Sequence, residues 1–429
     1  MASDITFLGG GISSIIAALE LQKQGYQVTI IEKEPVLGGL ASSFRKKGKW
    51  IPKTYHHILP AEKLFLKIIK KEGFDKYLLW NDSAISFWFD KKPYSLVSPI
   101  DILLFKPLSF LSRLRLFKLG AVAFLRRNWN SLKGKDAESW IRGFIGDEAT
   151  DKLFKKLARI KFGELSTVSA AWFGERLHEA AVNQEKYAYL TCGLQELIDH
   201  LGDQIRKRGG KIYLGAEVTG LEGKKVSFYH QGKDKEIISN RIISSLPPPL
   251  LADLSDLDAD KKKLLKSAEY KPLVCLVVSS KNLISSYYWN ILIKPRMKFG
   301  GFFNHTAIYP EGGTGGENLY YFFAYLNLDD DLWNKPKDEI RNVFLDDIKK
   351  LFPDFKASWT KTFKIRYSSP VYDIGYENLP IKIDEKLYLT GVYRMYPSTR
   401  TMNSAAKSGV KTARLVIEED RKLGRTPEK

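Results

Sequence analysis

Three consecutive glycines, at positions 9 to 11, stand close to the start of the 429-residue chain. Glycine weakens the interior of a helix or strand, so a cluster marks a place where the backbone turns tightly or lets another group approach. Residues 5–8 favour a buried strand, and apolar residues then recur at helical spacing from 12 to about 23. A second β-rich run, 28–31, ends at Glu32. This order of strand, glycine turn, helix, strand and acid is that of a dinucleotide-binding unit.

Each part of this unit has a physical role toward a dinucleotide. Gly9 permits the tight turn, Gly11 lets the backbone approach a pyrophosphate, and the helix N-terminus offers free N–H groups and a positive dipole end. The carboxylate of Glu32 can accept hydrogen bonds from ribose hydroxyls. Ser14 replaces the usual third glycine, so we expect a slight shift of the helix without loss of binding. The residues expected to contact the nucleotide here are Gly9, Gly11, Ile12, Ser13, Ser14, Glu32 and Lys33.

A second glycine turn, Gly38 and Gly39 followed by Leu40 and Ala41, comes shortly after the acid. A nicotinamide site has no particular need for such a turn. An extended flavin dinucleotide can pass along a second loop with its phosphates and ribityl chain. The pattern therefore favours FAD, with Gly39, Leu40 and Ala41 as further contacts, and the alternative is an ordinary turn.

With these residues in place, the chain resembles the FAD-dependent amine oxidase superfamily, which includes protoporphyrinogen oxidases, phytoene desaturases, monoamine oxidases and UDP-galactopyranose mutases. Within it, the sequence is most similar to protoporphyrinogen oxidase-like proteins. The resemblance implies an α/β protein, in which a three-layer Rossmann-type FAD-binding domain is interleaved with a substrate domain of mixed sheet and helices. We expect FAD-binding parts at 1–75, 191–255 and 385–429, and substrate-domain parts at 76–190 and 256–384. The part at 76–190 is expected to face a membrane.

The resemblance also nominates site residues beyond the first loop. The segment "WIPKTYHHILP" would pass the flavin ring, Val218 would contact the adenine, and a helix from about Met402 would point its N-terminus at the flavin. Many relatives have Gly-Asp where this chain has Gly391 and Val392. In those relatives the acid binds near the cofactor phosphates, so here that contact must come from another group or be absent. The nominated catalytic residues are Tyr55, His56, His57, His305, Tyr393 and Tyr396. The further cofactor contacts are Val218, Gly391, Arg400, Asn403 and Ala405.

Several of these residues have alternatives that the sequence leaves open. Each histidine, one of only six in the chain, could move a proton near pH 7 or hold a backbone group. Tyr393 and Tyr396 could orient substrate or simply pack. Arg394 and Arg400 could meet a substrate phosphate or the flavin pyrophosphate, because arginine matches phosphate geometry.

The formal net charge is +19, which favours anionic partners. We find no nucleic-acid-binding motif, and residues 105–127 combine an apolar stripe with basic side chains and no acid. Such a helix suits an anionic membrane surface, or packs its stripe on the core with its basic ends in water. The stripe is Phe110, Leu114, Phe117, Ala121 and Phe124, and the basic residues are Arg113, Arg115, Lys118, Arg126 and Arg127.

The remaining features bound the location and the chemistry. No signal peptide and no membrane-spanning run is visible, and two distant cysteines form no metal-ligand spacing, so we expect a cytoplasmic protein, peripheral on the membrane at most. We expect hydride transfer between flavin N5 and an apolar or amphiphilic membrane-borne substrate, such as an isoprenoid lipid that is desaturated or saturated. The alternatives are a porphyrinogen oxidase, a non-redox mutase of the UDP-galactopyranose type, or a flavin-binding scaffold.

Overall fold

The computed structural model describes residues 2–82, 84–96, 98–183 and 186–424, and its strands form two large sheets and two short ribbons. The first sheet contains β1 (Ala2–Leu8), β2 (Val28–Glu32), β9 (Lys211–Leu214), β10 (Ala216–Glu222), β11 (Lys225–His230), β12 (Lys233–Ser244) and β18 (Leu387–Leu389). The second contains β6 (Ile85–Phe89), β7 (Lys92–Ser95), β13 (Tyr270–Ser280), β14 (Trp289–Leu292), β15 (Gly301–Asn304), β16 (Asn318–Tyr325) and β17 (Trp359–Pro370). The ribbons pair β3 (Ser43–Lys46) with β4 (Lys49–Pro52), and β5 (Leu78–Asp82) with β8 (Lys186–Leu190).

The helices cover both sheets and form a separate helical layer. They are α1 (Ile12–Gln22), α2 (Lys63–Lys71), α3 (Pro99–Leu104), α4 (Phe110–Leu125), α5 (Ala137–Ala149), α6 (Lys155–Lys161), α7 (Ala170–Asn183), α8 (Leu194–Lys207), α9 (Pro248–Leu254), α10 (Ala259–Lys266), α11 (Asp331–Asn334), α12 (Lys337–Leu351) and α13 (Met402–Lys422). A π-helical turn, Thr150–Phe154, joins α5 to α6.

The first sheet is the core of a three-layer nucleotide-binding domain. Its parallel part runs β18, β12, β1, β2, β9, and β10 and β11 continue from β12 as antiparallel strands. Alternate side chains of β1 point to opposite faces: Ile5 and Phe7 pack with α1, α8 and α13, whereas Leu8 packs with α9, α10 and the antiparallel strands. This arrangement confirms the predicted fold class, including the strands and helix around the glycine turn.

One predicted element differs. The sequence from Lys211 onward predicts one strand that runs through Val218, and that prediction is wrong, because the chain turns at Gly215 with φ +63°. β9 therefore extends the parallel edge beside β2, whereas β10, which carries Val218, pairs with β11. The sequence also predicts a helix from about Leu194 to Lys207 and an amphipathic helix over "KDEIRNVFLDDIKKLF", and the structure contains them as α8 and α12.

The second sheet has the order β17-β13-β16-β15-β14-β6-β7 and separates two cores. Alternation along β15 and β16 sends Phe302 and Phe322 toward α12, and Phe303 and Phe323 toward the helical layer and the residues after β4. The face that carries Phe303 therefore packs against the segment that contains Tyr55, which is expected to pass the flavin ring.

The helical layer, α3 to α7, exposes the apolar stripe of α4. The buried residues of α4 are Ser112, Leu116, Leu119 and Ala123, whereas Phe110, Leu114 and Phe124 are exposed. The stripe thus faces away from the core. Among the described residues, no helix is both long and apolar enough to span a bilayer.

Candidate active site

The two glycine turns meet and form one wall of the site. The N–H of Gly9 donates to the carbonyl of Ile31 at 2.9 Å, and the N–H of Gly38 donates to the carbonyl of Gly10 at 2.8 Å. A Cβ on Gly39 would stand 3.3 Å from the Cα of Gly11, so the backbones nearly touch. We call these residues, 9–11 and 38–41, the glycine-loop wall. Its closeness explains why both turns need glycine.

Glu32 is held at the edge of this wall by backbone N–H groups. One carboxylate oxygen accepts from Gly10 at 2.6 Å, and the other accepts from Glu34 at 2.8 Å. The side chain is only 7% exposed, and burial raises the pKa of this carboxyl although both hydrogen bonds oppose the shift. The orientation is fixed, and the remaining lone pairs of the oxygens can accept from hydroxyl groups of a ligand.

The space beside Gly11 fits the diphosphate of a dinucleotide. A Cβ on Gly11 would meet a single atom within 4 Å, the Ser245 hydroxyl at 3.9 Å, so the protein itself leaves that space open. The N-terminus of α1 has no side-chain cap and no acid in its first turn. The buried hydroxyls of Ser14 and Ser42 have no partner among the described residues. An anion with several acceptor oxygens satisfies all of these features.

Two further cofactor candidates lie near the adenine side of this wall. Lys33 is exposed and pairs with Glu217 at 2.6 Å, next to Val218 on β10. Val218 packs in the apolar cluster that contains Leu8 and Ile31. β10 packs beside β2, which ends at Glu32, and the contact of Lys33 and Val218 with the nucleotide stays a prediction.

A second wall begins where His56 reaches the glycine turn. The Nε2 atom of His56 lies 2.7 Å from the carbonyl oxygen of Leu40, which connects the two walls directly. The ring of Tyr55 stacks on Phe303 with centroids 3.8 Å apart, and its hydroxyl lies 2.7 Å from that of Tyr325. We call the side of the second sheet that carries Phe303, with Trp289, Phe323, Tyr325 and Tyr55, the aromatic wall.

The histidines of the site are held neutral by burial. Desolvation lowers the pKa of His57 and of His305 to about 3 each, and it also lowers the pKa of His56. His57 Nδ1 lies 3.0 Å from the Tyr288 hydroxyl, and the ring of His305 meets Tyr189 edge to face. Imidazoles whose pKa is lowered in this way stay neutral at pH 7 and are suited to hydrogen bonding more than to proton transfer.

The residues after β18 are distributed between the site and the scaffold. The N–H of Gly391 donates to the Ser408 hydroxyl at 2.9 Å, and the Tyr393 hydroxyl is buried without a partner among the described residues. The Tyr396 hydroxyl lies 2.7 Å from that of Ser169. Asn403 uses its Oδ1 to accept from Leu64 and Phe65 at the start of α2, as a helix cap. Ala405 lies in the first turns of α13 and is partly buried against the nucleotide-domain core.

Arg400 lies on the aromatic side of the site, together with two cations that the sequence reasoning missed. Its guanidinium stands 4.8 Å from the Trp172 ring centroid, and its Nη1 donates to the carbonyl of Pro370. The Nζ of Lys161 stands 3.9 Å from the Trp289 ring and 5.9 Å from that of Tyr55. Arg176 on α7 contributes a third charge nearby, because it lowers the pKa of both Lys161 and Arg400. No local sequence signal marks Lys161 or Arg176, since both are ordinary basic residues on helices.

Together, the layered fold and the open glycine-loop wall define a dinucleotide-binding protein of the kind that holds an extended flavin cofactor. The chain matches the family of flavin containing amine oxidoreductases over residues 12–417, and it belongs to that family. The cofactor is accordingly FAD, as predicted from the two glycine turns. The predicted resemblance is confirmed.

Known structures share the fold at low sequence identity. A candidate protoporphyrinogen oxidase from Exiguobacterium sp. 255-15 superimposes with a TM-score of 0.75 and 15% identity, covering 97% of this chain and 99% of that one. Reduced UDP-galactopyranose mutase superimposes with a TM-score of 0.77 and 13% identity, covering 97% of this chain and 96% of that one. An L-amino acid dehydrogenase from Synechocystis sp. is 28% identical over 92 residues, which are 21% of this chain and 20% of that protein. This chain thus matches only about a fifth of the length of that curated relative. The similarity to the two solved structures shows that the fold is shared.

Proposed function

We propose that the protein is an FAD-dependent oxidoreductase that transfers hydride between its flavin and an apolar or amphiphilic molecule at the surface of an anionic membrane. The single observation that carries the membrane part is a solvent-exposed apolar face on α3 and α4. We call it the α3–α4 apolar face; it consists of Ile100, Leu103, Leu104, Phe110, Leu111, Leu114, Phe124 and Leu125.

The exposure of this face is unusual for side chains of this kind. Ile100 is 67% exposed, Leu104 62%, Phe110 61% and Leu125 72%. Single exposed apolar residues are ordinary on a protein surface, but eight within 26 positions need a reason. Burial of each such side chain in a bilayer interface contributes up to about 1.5–3 kcal/mol.

The charges around this face favour an anionic bilayer as the occupant. Six basic residues lie among or just after the apolar ones, and no acid occurs between Asp101 and Asp136. The basic residues are Lys106, Arg113, Arg115, Lys118, Arg126 and Arg127. Each Lys or Arg near an anionic surface adds about 1 kcal/mol of attraction.

The inner face of α4 connects this surface to the site. α4 packs on α7, and His178 Nδ1 of α7 lies 2.7 Å from the carbonyl oxygen of Ala123. α7 also carries Trp172, which packs beside Arg400. α7 therefore contacts both α4 and the aromatic side of the site.

The aromatic wall supports a role in holding an apolar substrate. Tyr55 is partly exposed and stacks on Phe303, which in turn stacks on Trp289, so these rings give the site a rigid apolar wall that excludes water. The bound FAD supplies the two-electron chemistry. His57, kept neutral by burial and hydrogen-bonded to Tyr288, can orient the substrate by a hydrogen bond.

Vesicle flotation of the FAD-loaded protein tests the membrane part. We expect flotation with phosphatidylglycerol-containing vesicles at low salt and much less with neutral phosphatidylcholine vesicles. The variant F110S/L125S should lose at least about tenfold in vesicle affinity, equal to about 1.4 kcal/mol. L283S is the matched control, because Leu283 is 65% exposed elsewhere on the surface. Absence of flotation at low salt, or equal loss in the control, would refute the membrane part.

Anaerobic mixing of the oxidised protein with a membrane lipid extract tests the redox part. A substrate that delivers hydride bleaches the flavin absorbance; for the reverse direction, the reduced protein regains its colour with an acceptor lipid. Conversion of a sugar nucleotide by the reduced protein, without net use of oxidant, would contradict hydride transfer and favour a mutase.

A further inference from the structure

Two cations on the aromatic side of the site lack an anionic partner. Lys161, the last residue of α6, and Arg400, just before α13, line the same narrow cleft with Trp172 and Tyr372; Lys271, which donates to the side-chain oxygen of Asn327, lines it too. Among the described residues, neither forms an ion pair with a carboxylate. Arg176 does form one, with Glu179. The other contacts of Lys161 and Arg400 are ring faces and one carbonyl oxygen.

Such an arrangement is unfavourable for the empty protein. Burial lowers the pKa of Lys161 well below its ordinary value, and the positive charges of Arg176 and Arg400 lower it further. Ring faces attract a cation, but they accept few of the N–H hydrogen bonds that an ammonium or guanidinium offers. An oxyanion between the two side chains would both neutralise the charge and accept those hydrogen bonds.

The position of the cations relates them to the substrate side of the site. Lys161 lies over Trp289 and within 5.9 Å of the Tyr55 ring centroid, on the aromatic wall. Arg400 lies over Trp172 at 4.8 Å. A positively charged wall of this kind repels a protonated amine and attracts a carboxylate or phosphate.

We propose that Lys161 and Arg400, supported by the charge of Arg176, form an anion subsite that binds the carboxylate or phosphate group of the substrate while its apolar part packs on the aromatic wall. This inference rests on the proposed function, because it assumes that substrate enters on the Tyr55 side. The substrate class is then an anionic amphiphile.

Ligand binding to the FAD-loaded protein tests the subsite without any need for turnover. Octyl phosphate, 1-octanol and inorganic phosphate are titrated separately, followed by the flavin absorbance and by calorimetry. We expect octyl phosphate to bind at least tenfold more tightly than 1-octanol. If inorganic phosphate binds and competes with octyl phosphate, the subsite also accepts the free anion. If octyl phosphate binds more tightly than inorganic phosphate, the preferred ligand is the anionic amphiphile.

Charge-removing variants assign the effect to residues. K161M and R400M should each weaken octyl phosphate binding about tenfold or more and leave 1-octanol binding unchanged. K364M is the matched control, because Lys364 also lies over a tryptophan, 5.0 Å from the Trp333 ring, on the α12 side of the sheet.

The outcomes separate this inference from the proposed function. Octyl phosphate binding that is unchanged in K161M and R400M, or equal to that of 1-octanol, overturns the anion subsite even if the protein floats with vesicles. Binding that depends on Lys161 and Arg400 in a protein that fails to float supports the subsite and refutes the membrane proposal alone.

Discussion

The glycine-loop wall and the aromatic wall face the same site but are built in different ways. The first consists of residues 9–11 and 38–41, which lie within about thirty positions of each other, and its contacts are mainly backbone atoms, such as the N–H of Gly38 on the carbonyl of Gly10. The second draws Tyr55, Trp289 and Phe303 from distant segments, with Lys161 and Arg400 beside it, and its contacts are side-chain rings and charges. Backbone contacts can survive many changes of side chain, whereas single substitutions can alter the second wall.

This difference has a consequence for how substitutions act. A change at Gly11 of the glycine-loop wall should affect the cofactor and leave the fold intact, since a Cβ there meets only the Ser245 hydroxyl, at 3.9 Å. A change on the aromatic wall should affect stability first, since Phe303 is fully packed.

Phe303→Ala should lower the free energy of unfolding by about 3–5 kcal/mol, measured by chemical denaturation. The ring is buried and stacks on both Tyr55 and Trp289. Phe302→Ala, on the opposite side of the same strand, is the control and should cost a similar amount. Only Phe303→Ala should change the visible circular dichroism of the flavin; the same change in both variants would break the contrast between the two walls.

Gly11→Val should weaken FAD binding about a hundredfold, or about 2.7 kcal/mol, with little change in the melting temperature of the cofactor-free protein. A Cβ at this position meets only the Ser245 hydroxyl, at 3.9 Å, so we expect the side chain to extend into the space for the diphosphate. Gly375→Val is the control, because a Cβ there also meets no atom within 4 Å. Normal flavin content in Gly11→Val would show that the diphosphate lies elsewhere.

His305 should make the protein less stable as the pH falls below about 6.5. Its pKa is 6.5 when unfolded and about 3 when folded, so between these values the unfolded chain binds more protons and stability decreases with falling pH. From pH 6.5 to about 5 the loss is at most about 2 kcal/mol. Denaturation at both pH values should show a smaller difference for His305→Gln than for the wild type; equal differences would mean that His305 is protonated in the folded state.

Asn403→Ala should cost about 1 kcal/mol of stability and leave FAD content unchanged. Its Oδ1 accepts from Leu64 and Phe65 at the start of α2, which is a structural role. Asn403→Asp keeps the acceptor and should retain most of the stability. Loss of FAD in Asn403→Ala, without loss of stability, would instead support the cofactor contact that the sequence resemblance implied.

The contrast also explains what the sequence could predict. The glycine-loop wall was predictable because its strand, turn, helix and acid are contiguous, and α8 was predictable from its helical period and the glycines that follow. The break at Gly215 was not, because a single glycine in a β-rich run is compatible with a bulge or a turn.

The aromatic wall was predictable only in part. Tyr55, His56 and His57 came from family resemblance, while Lys161 and Arg176 were missed, because long-range packing alone brings them to the site. The helical period of α4 indicated an apolar stripe, but it could not predict whether the core covers that stripe or the opposite side of the helix. The site roles and the domain boundaries remain predictions.

The cofactor content of the purified protein is the most direct test of the central claim that the two glycine turns hold FAD. The measurement is the visible spectrum, followed by denaturation and quantification of the released nucleotide. We expect a yellow protein with about one FAD per chain. A folded, colourless protein that does not take up FAD on reconstitution would contradict the claim.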